Sequence, residues 1–153
     1  GREGAQHGGG LLGLDHLLHE RTLPLVAVAE QAVPRDVAAA RERHQGRIVA
    51  VFQPHLYSRT RALLHETAQA LTGADLAIVT EIYAAREPHD PGISGRHVAE
   101  AVRGTPTQFA ATLAEAADLT MAAVQPGDLV LTLGAGDITR LGQELLSRLE
   151  KRS

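Results

Sequence analysis

The chain has 153 residues, enough for one domain with a real core, and its 44% apolar and 22% charged residues sit near the globular average, which argues against wholesale disorder. A formal net charge of −3 offers no basic excess for nucleic acid or an anionic membrane, and the lack of cysteine removes disulfides, thiolate catalysis and cysteine metal sites. With aromatic residues at 3% and no Trp, the core must come from Ala, Leu, Val and Ile, which suits helices packed on a parallel sheet.

The chain divides at about Pro34. Residues 1–34 form an atypical segment in which Leu23 to Ala29 is at most an edge strand. His16 and His19 could share a helix face, but two histidines without a third ligand are more often unmetallated. Residues 35–153 read as one domain of regular α/β alternation. A helix is expected from Asp36 to His44, with Gly46 as its C-terminal cap. Arg47 to Phe52 carries Ile-Val-Ala-Val-Phe, a continuous apolar run of the kind that forms a buried parallel strand. Beyond the loop at Gln53-Pro54-His55, Ser58 or Thr60 is placed to cap a helix running to Leu71, with Gly73 stopping it.

Asp75 to Tyr83 holds a second strand. Ala84 to Gly95, rich in Pro, Gly and charge, reads as an exposed loop, with Pro91-Gly92 suited to the centre of a type II turn. A short helix follows over Gly95 to Arg103, and a longer Ala-rich one over Phe109 to Val124, ended by Pro126-Gly127. Asp128 to Leu133 is the third strand. Gly134-Ala-Gly136 then turns into a helix capped by Asp137, with Ile138, Leu141, Leu145 and Leu149 as its buried stripe. This order predicts an α/β, Rossmann-like, mostly parallel sheet with helices on both faces. Ligands of such sheets bind beyond the strand C-termini. That edge gathers the loops Gln53 to Arg59, Tyr83 to Gly95 and Gly134 to Asp137.

The first loop sets an imidazole, a phenol, a hydroxyl and a guanidinium (His55, Tyr57, Ser58, Arg59) between a strand end and a helix start, where N–H groups and the helix dipole favour an anion. Arg59 could grip a carboxylate or phosphate with two donors. The bland alternative has Ser58 as a cap, His55 bonded to a backbone carbonyl and Arg59 solvated. In the second loop His89 and Asp90 could be an acid/base or metal pair, and the loop a mobile lid over the site, though a solvated structural turn is the simpler account. The glycines of the third loop lack the further glycine of a dinucleotide fingerprint, since Thr139 stands at that position, and the chain has no Gly-Lys-Ser/Thr; close packing of helix on strand is the better default there.

The run Val51-Phe-Gln-Pro-His-Leu-Tyr-Ser-Arg-Thr-Arg61 resembles a signature of the UDP-N-acetylmuramate–L-alanine ligases. Two further segments resemble the same family at suitable spacing: Asp75 to Pro88, continued by Pro91-Gly-Ile-Ser-Gly95, and Gly127 to Ile138. The resemblance runs from about Val37 to the C-terminus and implies the C-terminal domain of a Mur ligase. Such an enzyme uses ATP and Mg2+ to phosphorylate the lactyl carboxylate of UDP-N-acetylmuramate, and L-alanine attacks the acyl phosphate. N-terminal and central domains, not recognised in this chain, hold the nucleotide sugar, ATP and metal, while the C-terminal domain closes over them. The resemblance thus implies a cytoplasmic ligase of peptidoglycan precursor synthesis, serving cell wall biogenesis, cell shape and division, with this chain inactive alone.

Carried over by position, Arg59 clamps the alanine carboxylate, alone or with Arg61, and His55, Tyr57 and Ser58 shape the pocket. No residue here is implied as catalytic or as a metal ligand. Many relatives carry Arg where this chain has Leu56. The family's His-His pair, expected near Val28 and Ala29, is missing, and a shifted reading frame or a divergent lead-in would each account for that. A first residue that is not Met points to a fragment. The other readings are a stand-alone Rossmann-like nucleotide- or anion-binding module using Gly134 to Asp137, and a non-functional remnant.

Overall fold

The computed structural model describes residues 24–29 and 33–152. His16 and His19 lie outside the described residues. Five parallel strands, β1 (Leu25–Ala29), β2 (Ile48–Phe52), β3 (Leu76–Thr80), β4 (Thr107–Ala110) and β5 (Leu129–Leu133), form one sheet in the order β1-β5-β2-β3-β4. Every residue of β2, β3 and β5 is buried, as their unbroken apolar runs require for strands covered on both faces.

The helices are α1 (Val33–Arg43), α2 (Tyr57–Ala62), α3 (Leu64–Leu71), α4 (Gly95–Ala101), α5 (Leu113–Ala123) and α6 (Ile138–Arg152). Val37 and Ala40 of α1, Leu71 of α3 and Val98 of α4 pack on one face of the sheet with Ile48, Ala50 and Leu131. Ala116 and Ala117 of α5, with Ile138, Leu141, Leu145 and Leu149 of α6, pack on the other with Val49, Val51 and Val130. The α6 stripe is the one its i, i+3, i+7, i+11 spacing predicts.

Several expectations are corrected. The segment expected as one helix from Phe109 holds a short edge strand, β4, before α5 begins at Leu113. The Ala-rich composition pointed to helix, but Thr107 and Phe109 suit a pleated edge, and β4 pairs with β3 over Ala77–Thr80. The helix after β2 is two helices broken at Leu63, and neither Ser58 nor Thr60 caps it: the cap position is Leu56, whose side chain cannot accept a hydrogen bond. Gly92 does not have the positive φ of a type II turn; among the described glycines Gly104, Gly127 and Gly134 do. The type II signature is realised at Pro126-Gly127, where Gly127 has φ 90° and Asp128 N–H donates to Gln125 O at 3.1 Å. Gly46 is not left-handed either; a Cβ there would lie 2.9 Å from both Gly127 O and His44 Nε2, so its smallness serves close approach.

At the N-terminal edge of the sheet, ion pairs lock the strand starts. Arg47 Nη2 binds buried Asp128 at 2.8 Å and Ala123 O at 2.6 Å, joining β2 to α5 and β5. Asp75 accepts from Arg41 Nη2 at 2.6 Å and from Ile48 N–H at 2.8 Å. Burial raises the Asp75 pKa, but the Ile48 N–H and Arg41 outweigh it and hold the carboxyl below its ordinary value.

Candidate functional site

The chain leaves β2 towards the α1/α3/α4 face and leaves neighbouring β5 towards the α5/α6 face. The strand order therefore opens a crevice between the C-terminal ends of β2 and β5, the place where parallel sheets bind ligands. In this chain the crevice is bridged. Gln53 N–H donates to Leu133 O at 3.0 Å, and its buried side-chain oxygen accepts from Ile138 N–H at 3.1 Å, supplying a partner at the start of α6. A Cβ on Gly136 would lie 2.7 Å from Tyr83 Cγ and 2.8 Å from Gln53 Oε1, and one on Gly134 would lie 2.8 Å from Gln53 O. The glycines of the third loop thus admit Gln53 and Tyr83.

The first two loops meet along a continuous seam. Pro54 O accepts from Tyr83 N–H at 2.8 Å, Tyr83 O accepts from Leu56 N–H at 2.9 Å, and His55 and Tyr83 form a parallel bridge. The two rings stack at 5.8 Å between centroids, 13° apart in plane. Tyr57 packs edge-on against His89, rings 87° apart, with its hydroxyl 3.1 Å from His89 Nδ1. Ser58 gives its backbone N–H to Glu87 Oε1 at 3.1 Å and its hydroxyl to Glu87 Oε2. Arg61 pairs with Asp90 at 2.8 Å, and Asp90 also accepts from Gly92 N–H at 2.9 Å.

These contacts set the charge states of the loop. The Ser58 hydroxyl, helped by the backbone N–H groups of Ser58 and Tyr57, holds Glu87 below the ordinary glutamate range. Arg61 and the Gly92 N–H do the same for Asp90.

The four expected site residues are therefore neighbours, but they are not equivalent. His55 and Tyr57 are half-buried with their rings engaged. Ser58 is committed to Glu87, so the N–H expected to receive a ligand anion already has one. Arg61 is committed to Asp90. Arg59 is exposed, and its guanidinium makes no hydrogen bond or ion pair with the described residues. Sequence reasoning missed Glu87 as the partner of Ser58 and Tyr83 as the ring beneath His55. Both stand in the second loop, and only the pairing of two loops distant in sequence, 29 positions for Ser58 and Glu87 and 28 for His55 and Tyr83, makes them matter, so local pattern carried no signal for either.

A model of the Mur ligase family, described as the Mur ligase, glutamate ligase domain, matches residues 27–136. The chain belongs to the Mur ligase C-terminal domain family. It is 46% identical over 123 residues to the UDP-N-acetylmuramate–L-alanine ligase of Desulforamulus reducens, covering 78% of this chain and 27% of that protein. To the ligase of the same name from Saccharopolyspora erythraea it is 50% identical over 110 residues, covering 71% of this chain and 22% of the relative. This Mur ligase domain thus spans about a quarter of the length of the curated relatives it matches. Among solved structures, the UDP-N-acetylmuramate–alanine ligase of Thermotoga maritima superposes with TM-score 0.65 at 23% identity, over 84% of this chain and 27% of that one. A domain of a putative UDP-N-acetylmuramate:tripeptide ligase from Haemophilus ducreyi gives TM-score 0.57 at 23% identity, over 81% of this chain and 89% of that one. At those identities the structural matches establish the fold.

The described residues of this Mur ligase domain hold no ready-made cage for Mg2+ and no open glycine turn for ATP phosphates. No three His, Asp or Glu side chains among them are grouped to hold a metal ion. The Gly134–Gly136 turn, where a phosphate could otherwise approach backbone, is filled by Gln53 and Tyr83.

Proposed function

We propose that this Mur ligase domain is the substrate-closing part of an ATP-dependent ligase that joins L-alanine to UDP-N-acetylmuramate in peptidoglycan precursor synthesis. In this reading Arg59 grips the alanine carboxylate, and His55, Tyr57 and Ser58 form the wall of the pocket beside it. ATP, Mg2+ and UDP-N-acetylmuramate are held by N-terminal and central domains, and the chain by itself is inactive. The setting is cytoplasmic, where nucleotide-activated precursors and ATP are found together, and the product serves cell wall biogenesis and with it cell shape and division.

The observation that carries this reading is the guanidinium of Arg59, exposed and without a partner among the described residues, while Arg61 two residues on is neutralised by Asp90. A planar fork of donors suits a carboxylate, and a free one keeps its full capacity for it. The high identity to alanine ligases supports alanine as the owner of that carboxylate. The rival module binding a nucleotide at Gly134 to Asp137 loses support because that turn is filled from within.

The test is reconstitution. This chain is combined with the N-terminal and central domains of an alanine ligase, and ADP release is followed with UDP-N-acetylmuramate and alanine. Arg59→Ala is expected to raise the KM for alanine roughly 10- to 100-fold, the loss of a charge-assisted contact, with Arg59→Lys between the two. ADP release by this chain alone, or an unchanged alanine KM in Arg59→Ala, would overturn the proposal.

A further inference from the structure

Among the described residues, the non-glycine residues with left-handed backbone are Leu56, at φ 69°, and Ala85, at φ 54°. L side chains resist that region, and a residue stays there only where its surroundings over-determine it. Leu56 is pinned at the start of α2: its N–H is held by Tyr83 O, and its carbonyl accepts from both Thr60 N–H, at 3.0 Å, and Thr60 Oγ1, at 2.7 Å. Ala85 is the second residue of a turn closed by Glu87 N–H on Ala84 O at 2.9 Å, a position usually given to Gly, Asn or Asp when φ is positive. That turn delivers the Glu87 carboxylate to the backbone and hydroxyl of Ser58, the residue immediately before Arg59. On either side, Tyr57 meets His89 and Arg61 meets Asp90. Positions 57, 58 and 61 are each fastened to the second loop, and between them the Arg59 side chain has no partner among the described residues.

We infer that Glu87 is a positioning residue for Arg59: presented by the strained turn at Ala85, its carboxylate fixes Ser58 and with it the root of the Arg59 side chain. Glu87 touches no ligand itself. It also fills the start of α2 with an internal anion, so a carboxylate arriving at this edge meets the guanidinium rather than the helix. This inference rests on Arg59 being the ligand grip, and its test separates the two ideas.

The first measurement is amide hydrogen exchange by NMR on the full chain and its Glu87→Ala, Glu87→Gln and Ala85→Gly variants. Glu87→Ala is expected to lower protection of Ser58 to Arg61 by about tenfold or more while Val49 to Phe52 stay protected. Glu87→Gln, which keeps an acceptor without the charge, should fall between, and Ala85→Gly should keep the contact. Should Glu87→Ala lose the sheet as well, the wild-type chain decides: the Ser58 amide resonance should move on acidification as Glu87 takes up its proton. Unchanged Ser58 protection in Glu87→Ala, or no such acid transition, would overturn the inference.

The second measurement uses the reconstituted ligase. Glu87→Ala should raise the alanine KM and leave kcat largely intact, Glu87→Gln should recover part of the loss, and Glu87→Ala added to Arg59→Ala should cost little more. Fully additive effects would count against positioning. If Arg59→Ala leaves the alanine KM unchanged, the ligand assignment falls, and the exchange data still judge whether Glu87 holds Ser58.

Discussion

An ideal Cβ on Gly95 would sit 2.0 Å from the Thr80 carbonyl oxygen, 2.9 Å from its carbon and 3.0 Å from Glu81 Cα. These are backbone atoms at the end of β3, so no side chain can swing aside. The Gly95 N–H also donates to Glu81 Oε1 at 2.6 Å, fixing the start of α4 to the strand. Gly95→Ala is therefore expected to destabilise the chain by about 3 kcal/mol or more, an overpacking cost at its upper end, read as a lower urea midpoint with little change in slope. A loss under about 0.5 kcal/mol would show that the strand end yields easily. The residues of the candidate site were legible in sequence because strand, loop and helix patterns put His55, Tyr57, Ser58 and Arg59 between a strand end and a helix start. What each one does was not. Whether a serine caps a helix or meets a glutamate 29 positions away depends on which loops the sheet brings together.

The three buried strands and the α6 stripe were legible because their periodicity is the physical requirement of a covered parallel sheet, and the burial follows it residue by residue. Strand β4 was not, since four residues on an exposed edge need little apolar character and precede an Ala-rich helix. The second loop reads as polar and exposed by composition, yet it is docked through Glu87 and Asp90 on α2. Both carboxylates have folded pKa values below their ordinary ones, Glu87 through Ser58 and Asp90 through Arg61. For a depressed acid the contribution is complete above the unfolded value and is lost as pH falls through the folded one. With ordinary values near 4, the docking is expected to hold at pH 6 and to release below roughly pH 4. Residues 84–93 should then lose amide protection while β2, β3 and β5 keep theirs. Loop protection unchanged down to pH 2.5 would mean that these charges do not hold it.

At the scale of the whole sheet, β1 matters more than its short and weakly patterned sequence suggests. It pairs with β5 from Leu25↔Leu129 to Ala29↔Leu133, so it covers one edge of a strand whose other side is taken by β2. The missing histidine pair, expected near Val28 and Ala29, would fall at the C-terminal end of this strand, on the same edge as the candidate site. The domain boundary expected at residue 35 rests on the regular α/β alternation of the sequence, whereas the sheet reaches back to Leu25 and the family match to residue 27. The two boundaries predict different behaviour on truncation. Removing residues 1–23 leaves β1 and its pairing with β5 in place and should leave the protection of Leu129 to Leu133 and the oligomeric state of the full chain unchanged. Removing residues 1–34 strips the row of backbone donors and acceptors along β5 of its partner, together with the start of α1. An apolar strand bared in this way is a template for a second copy. The shorter chain is therefore expected to self-associate in a concentration-dependent way on size-exclusion chromatography with light scattering, and to lose protection first at Leu129 to Leu133. If residues 35–153 instead remain monomeric with β5 fully protected, β1 is dispensable and the domain begins at residue 35.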